Sequence, residues 1–204
     1  MKNLCAIFAK TYLSYKVVNR ENLLNLGEGG YVVASNHVSF LDPPLVGIAF
    51  PENIYYFARK TLFDHPFAGW MLRRMWAIPV DQDRPEMSTL KLIIKLLKEG
   101  EKVVIFPEGE RTYDGQLKEK GQSGVGMMVE KSNAKVLPVR LFGPEKALPR
   151  HSKKVKRVPV TMVVGEEMDL SDLINNKEID RKERYELITA RIMDAIRAIE
   201  DPGR

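Results

Sequence analysis

The run Tyr31-Val32-Val33-Ala34-Ser35 limits the fold more than any other segment of the chain. It has no polar alternation, so it does not suit a sheet with one wet face. Such a run reads as a short strand buried on both faces, and that strand needs helices above and below it. Residues 102–106 repeat the pattern. Residues 54–58, 77–80, 136–142 and 158–164 are further strand candidates. Between them, residues 42–50, 66–76, 86–98, 124–131 and 180–199 read as helices. Asp42 is expected as an N-cap with Pro43 at the first helical position. Gly27, Gly29 and Gly30 mark a turn. Strands alternating with helices predict an α/β single domain, a mixed and largely parallel sheet flanked by helices. With 204 residues there is room for one ordinary domain with a core, and not for two full ones.

Residues 3–18 place Leu4, Ile7, Phe8, Tyr12, Tyr15 and Val18 at helical spacing, with Lys2, Lys10 and Lys16 among them. An amphipathic helix is expected there, packed either on the core or on a membrane surface. Residues 1–20 are therefore read as an N-terminal helix and possible surface anchor, and residues 21–204 as the main domain. The stretch 31–51 is the most apolar. Asn36, His37, Asp42 and Pro43-Pro44 interrupt it, so it falls short of the roughly 20 apolar residues a spanning helix needs. Lys10 likewise breaks the N-terminal apolar stretch, which does not read as a signal peptide. The net charge of +5 is a mild excess that fits an anionic substrate or bilayer. No zinc-finger spacing or aromatic–basic pattern points to nucleic acid, so no nucleic-acid partner is expected. Cys5 is the single cysteine, which excludes an internal disulfide and argues for a reducing, cytoplasmic compartment. No metal site is expected.

Two segments carry chemistry. His37 lies in a loop just after the buried strand, and Asp42 follows five positions later. An imidazole, with a reference pKa of about 6.5, can accept a proton near neutrality. A carboxylate nearby can accept its other ring N–H, fixing tautomer and orientation. Each residue also has a plainer reading, a satisfied loop histidine and a helix cap. No Gly-x-Ser-x-Gly elbow is present. Ser39 lies between the pair, but the simplest nucleophile is the substrate's own hydroxyl. The second segment is Phe106-Pro107-Glu108-Gly109-Glu110-Arg111-Thr112. A strand ends in a rigid proline, a glycine permits close backbone approach, and Arg111 offers a planar fork of donors suited to phosphate. The plainer reading is a strand turn with surface charges.

Taken together, the two segments resemble the glycerolipid acyltransferase family. Asn36-His37-Val38-Ser39-Phe40-Leu41-Asp42 matches its first motif and residues 106–112 its third. Ala77-Ile78-Pro79-Val80-Asp81 resembles the second motif and Val136-Leu137-Pro138-Val139 the fourth. Lys60-Thr61-Leu62-Phe63 and Lys120-Gly121-Gln122-Ser123-Gly124 also look like family segments. The resemblance covers about residues 20–165 in the family's order. It implies a glycerol-3-phosphate acyltransferase-like fold and transfer of a fatty acyl group to a lysophospholipid hydroxyl. The implied donor is acyl-CoA or acyl carrier protein, at a membrane surface. It implies His37 as base, Asp42 as its partner, and Glu108, Gly109, Arg111, Thr112 and Asn36 on the substrate side. No cofactor is implied beyond the thioester co-substrate. Two departures stand out in the second motif. Gln82 occupies the usual arginine position, leaving Arg84 as its substitute, and Trp76 stands where the motif usually begins with glycine. In the third motif Glu110 replaces a common threonine. A thioesterase, or a lipid-binding module without catalysis, is the alternative.

Overall fold

The structure, a computed structural model, describes residues 2–81, 87–112, 114–152 and 154–203, excluding the side chains of 67 and 68. In chain order its elements are α1 (Lys2–Tyr12), β1 (Lys16–Val18), α2 (Arg20–Leu24), β2 (Tyr31–Ser35), α3 (Asp42–Ala49) and β3 (Tyr56–Arg59). A 3-10 turn (Lys60–Phe63), α4 (Pro66–Arg74), β4 (Ala77–Val80), α5 (Met87–Lys98) and β5 (Lys102–Ile105) follow. The chain then forms α6 (Gly124–Ser132), β6 (Lys135–Phe142), α7 (Pro144–Ala147), β7 (Thr161–Val164), α8 (Ser171–Ile174) and α9 (Arg181–Ala198). Five strands form one sheet in the order β1-β7-β6-β2-β5, and β3 pairs with β4 separately. Of the pairings described, only β6–β7 is antiparallel. The expected mixed, mostly parallel sheet is present.

Strand β2 shows why a solid apolar run was needed. Side chains alternate across a strand. Tyr31 and Val33 point into a core shared with Ala9 of α1, Leu45 and Val46 of α3, and Met75 just past α4. Val32 and Ala34 point the other way, onto Leu96 of α5, Val129 of α6 and Ile188 and Ile192 of α9. Strand β5 divides in the same way, with Val104 on the first side and Val103 and Ile105 on the second. Full burial of one such aliphatic side chain stabilises by about 1.5–3 kcal/mol. A polar residue in either set would therefore open a layer. Helix α9 closes the second layer through Ile188, Ile192 and Ile196, one residue per turn. Asp180 starts it by accepting the Lys182 N–H at 2.8 Å. Helix α6 approaches closely because residue 126 is glycine. A Cβ there would stand 2.1 Å from the Tyr185 carbonyl oxygen.

Two expectations need correction. The helix expected over 3–18 stops at Tyr12. Ser14 takes φ +47°, and residues 16–18 become β1, parallel to β7, with the Lys16 N–H donating to the Val160 carbonyl. Tyr15 and Val18 fit a helical stripe by spacing alone, but a three-residue strand leaves too few positions to separate the two periods. The Val17-Val18 pair is β-branched and suits the strand. Asp42 begins α3 but does not cap it: the helix has no side-chain cap hydrogen bond. Its carboxylate turns back toward residues 37–39.

The parallel pairing of β2 with β5 places Ala34 opposite Ile105. Both strands therefore run out at the same edge. The two loops that follow them, 36–41 and 106–112, emerge side by side. Ligand sites of parallel α/β sheets lie at this carboxyl edge.

Candidate active site

The loop after β2 is fixed by buried groups bonded to backbone. Asn36 spans to β6, where its Nδ2 donates to the Leu141 carbonyl at 3.0 Å and its Oδ1 accepts the Leu141 N–H at 2.8 Å. Asp42, fully buried, accepts three bonds on Oδ2: from Val38 N at 2.6 Å, Ser39 N at 2.7 Å and His37 Nδ1 at 2.9 Å. A carboxylate oxygen can only accept, so Nδ1 carries a ring hydrogen, and in the neutral imidazole Nε2 is then the nitrogen with the lone pair. Glu108, also fully buried, accepts the His37 N–H on Oε1 at 2.6 Å and the Lys118 N–H on Oε2 at 2.9 Å. The His37 carbonyl accepts the Thr112 N–H at 2.9 Å. The Phe106 ring stacks on the imidazole, centroids 4.1 Å apart. The histidine is thus held by its backbone N–H, its carbonyl, its Nδ1 and one ring face.

Burial pushes both carboxyls above the usual carboxylate range. The N–H bonds from His37, Ser39 and Val38 pull Asp42 back, as those from Lys118 and His37 do for Glu108. Asp42 Oδ1 and Thr112 Oγ1 are buried with no hydrogen-bond partner among the described residues.

The loop after β5 supplies the opposite wall. Gly109 takes φ +76°, and a Cβ there would sit 3.0 Å from Gln122 Cγ. Glycine suits this position on both counts. The Arg111 guanidinium lies over the Phe40 ring, 3.5 Å from its centroid. Such a stack keeps the guanidinium plane oriented. Arg150 reaches in from the β6–β7 connection, and its Nη1 donates to the Arg111 carbonyl. A cleft of about 900 Å³ opens here. Its lining mixes polar residues, among them His37, Arg59, Glu110, Arg111 and Arg150, with apolar ones, among them Pro43, Leu62, Met71, Leu72 and Met75. The cleft can therefore take both charge and a hydrocarbon chain.

The structure brings His37, Gly109 and Arg111 together at this cleft, with Asp42 buried behind the imidazole. Asn36, Glu108 and Thr112 stand behind them, buried, with their bonds directed to backbone. Arg84 and Gln82 lie outside the described residues. Ser39 is fully buried, and its hydroxyl donates to the Leu148 carbonyl at 2.9 Å, so it is not presented as a nucleophile. Sequence reasoning missed Phe40, Arg59 and Arg150. Phe40 and Arg59 adjoin motif residues and could have been found there. Arg150 sits 39 positions from Arg111 in a basic stretch without pattern.

Apolar side chains also face outward near the site. Leu4, Ile7 and Phe8 are exposed on α1, as are Trp70 of α4 and Trp76. Lys2 of α1 borders one small hollow with Arg74 and Trp76, so the start of α1 meets the turn between α4 and β4. Trp76 takes φ +63°, the left-handed region, which accounts for glycine in the resembling motif.

Comparison with known proteins bears on this arrangement. The acyltransferase family model matches residues 14–141, which include both loops and the strands that carry them. The chain is 32% identical to the 1-acyl-sn-glycerol-3-phosphate acyltransferase of Bacillus subtilis (strain 168), over 98% of each chain. The protein of the same name from Streptococcus pneumoniae is 28% identical over 76% of this chain and 56% of its own. Chloroplastic LPAT1 of Arabidopsis thaliana is 32% identical over 71% of this chain and 41% of its own. The crystal structure of the 1-acyl-sn-glycerophosphate (LPA) acyltransferase PlsC from Thermotoga maritima aligns with a TM-score of 0.71 at 24% identity. That alignment covers 98% of this chain and 81% of PlsC, which makes the fold a shared one. With a His–Asp pair and an arginine at one cleft, a family model matched over residues 14–141 and a relative matched over 98% of each chain, the chain belongs to the acyltransferase family.

Proposed function

We propose that the chain transfers a fatty acyl group from a thioester to the sn-2 hydroxyl of 1-acylglycerol-3-phosphate, giving phosphatidate. The names of its relatives favour this acceptor. The observation that carries the chemistry is the 2.9 Å contact of His37 Nδ1 with a fully buried Asp42 at the cleft. Arg111 holds the acceptor phosphate, with Gly109 leaving room for its approach. His37 Nε2 takes the proton from the acceptor hydroxyl. The oxygen attacks the thioester carbonyl, a C–O bond forms, and the carbon–sulfur bond breaks as the tetrahedral intermediate collapses. The departing thiolate takes the proton from the imidazolium, which Asp42 stabilises meanwhile. Acyl-CoA and acyl carrier protein thioesters both suit this sequence. The reaction calls for no cofactor, because the thioester is already activated.

The second half of the proposal is a membrane surface. No helix among the described residues is long and apolar enough to cross a membrane. The exposed apolar side chains of α1 and the Trp70–Trp76 region instead suit a peripheral or monotopic seat at the cytoplasmic face. Tryptophan favours the interface, and Lys2, Arg73 and Arg74 can reach headgroups. Flotation with anionic liposomes should be lost in an Ile7→Asp/Trp70→Asp variant, and unchanged flotation would remove this part.

The reaction is tested by following free thiol released from palmitoyl-CoA with and without lysophosphatidate. Acceptor-dependent release, lost in His37→Ala, is expected. Release independent of acceptor would favour a thioesterase, and no release by the wild type would favour a binding module.

A further inference from the structure

An acid at the rim of an anion-binding cleft opposes binding unless something neutralises it. Glu110 is such an acid, next to Arg111 and largely exposed. Two cations flank it. Its Oε1 lies 3.2 Å from Lys118 Nζ and its Oε2 3.5 Å from Arg150 Nη2. Both hold its carboxyl below the usual range. Arg150 is the better placed cation. Its guanidinium lines the cleft beside Arg111, and its other nitrogen is anchored on the Arg111 carbonyl. Anchored and half-covered, it keeps its fork at the cleft mouth.

We propose that Arg150 is a second anion-binding residue of this cleft, taking a phosphate monoester together with Arg111, and that Glu110 is its built-in counter-ion, displaced as the phosphate arrives. The physics favours the exchange. A single guanidinium–carboxylate contact at 3.5 Å on the surface is weak. A phosphate monoester offers that fork up to two charges and paired acceptor oxygens. Glu110 keeps Lys118 as a partner when Arg150 turns away. The pair then sorts ligands by charge. A dianionic monoester displaces Glu110, and a singly charged phosphodiester competes poorly with it. The monoester is either the acceptor headgroup or the 3′-phosphate of CoA. The acceptor arm rests on the lysophosphatidate reading above.

The test measures KM for lysophosphatidate, palmitoyl-CoA and palmitoyl-dephospho-CoA in wild type, Arg150→Gln, Glu110→Gln and the double variant, with thermal melts to check folding. Arg150→Gln should raise one monoester KM by about three- to tenfold, with kcat little changed. Glu110→Gln should lower the same KM by about two- to fivefold, and should lose that effect when Arg150 is already glutamine. A change in the lysophosphatidate KM assigns the phosphate to the acceptor. A change with palmitoyl-CoA but not its dephospho form assigns it to the donor. If Arg150→Gln leaves both KM values unchanged, or Glu110→Gln acts equally in both backgrounds, the proposal is overturned while the acceptor reading stands. A wild type that releases thiol but never acylates lysophosphatidate removes that reading and the acceptor arm together. Arg150→Lys keeps the charge without the fork, and full rescue by it would overturn the bidentate geometry.

Discussion

The loop of residues 36–42 and the rim of residues 109–111 face the same cleft and are built in opposite ways. In the first, the polar side chains of Asn36 and Asp42, with Glu108 reaching in from the neighbouring loop, are buried and spent on backbone N–H and carbonyl groups. In the second, Arg111 rests on an exposed phenyl ring, and an exposed Glu110 is shared between two partly covered cations. Buried hydrogen bonds to charged groups are strong, and leaving a partner without its bond costs about 1–3 kcal/mol. Exposed ion pairs contribute roughly 0–1 kcal/mol and are screened by salt. The histidine is therefore held where exchange is costly, and the rim charges where exchange is easy. A partner at the rim can be exchanged without disturbing the histidine.

The contrast breaks first at His37. His37→Ala should lower kcat by about 10²–10⁴-fold while the melt stays near wild type. An active, folded variant would end the assignment. Next comes Glu108, which touches backbone rather than cleft and so acts as a positioning residue. Glu108→Gln replaces one accepting oxygen with a donating NH₂ opposite an N–H. It should cost about 1–3 kcal/mol of stability and lower kcat, with the acceptor KM little changed. A raised KM with normal kcat would instead make Glu108 a substrate ligand. Phe40→Ala removes the arginine platform. It should raise the acceptor KM by about two- to fivefold at unchanged stability, since an exposed cation–π contact is worth roughly 0.5–1 kcal/mol. A change in kcat alone would count against it.

The smallest effect is in pH, and it has opposite sign in the two regions. Asp42 is raised from 3.8 by burial, so the folded chain binds its proton more tightly than the unfolded chain. Its contribution to stability grows as pH falls toward 3.8. Glu110 is lowered from 4.5 by Lys118 and Arg150, so its contribution is lost as pH falls from about 4.5 through the folded value. Melts from about pH 7 down to about pH 3 should show, as pH falls, wild type gaining on Asp42→Asn and losing on Glu110→Gln. Parallel curves would deny the difference between buried and exposed acids.

Much of this was legible in the chain. Tyr31 to Ser35 announced a doubly covered strand because alternate residues both had to be apolar, and β2 is buried throughout. Ile188, Ile192 and Ile196 marked the buried face of α9 by helical spacing. Local signals failed where a segment was too short for its period to count, as at Lys16 to Val18. They also failed where a side chain had two local uses. Asp42 before two prolines reads as a cap, yet its carboxylate serves the preceding loop.

By itself the sequence determined the layers and the longer strands, because periodicity and composition act over a few neighbouring residues, whereas the acyl-transfer reading of His37 and Asp42 came from the family resemblance. Tertiary structure decided which of those residues face the cleft. The pairing of Ala34 with Ile105 put the two loops at one edge. That edge buried Glu108 and Asn36 behind His37 and brought Arg150 across to Arg111. Burial and long-range contact are properties of the packed chain, and no local pattern encodes which of two carboxylates will lose its water.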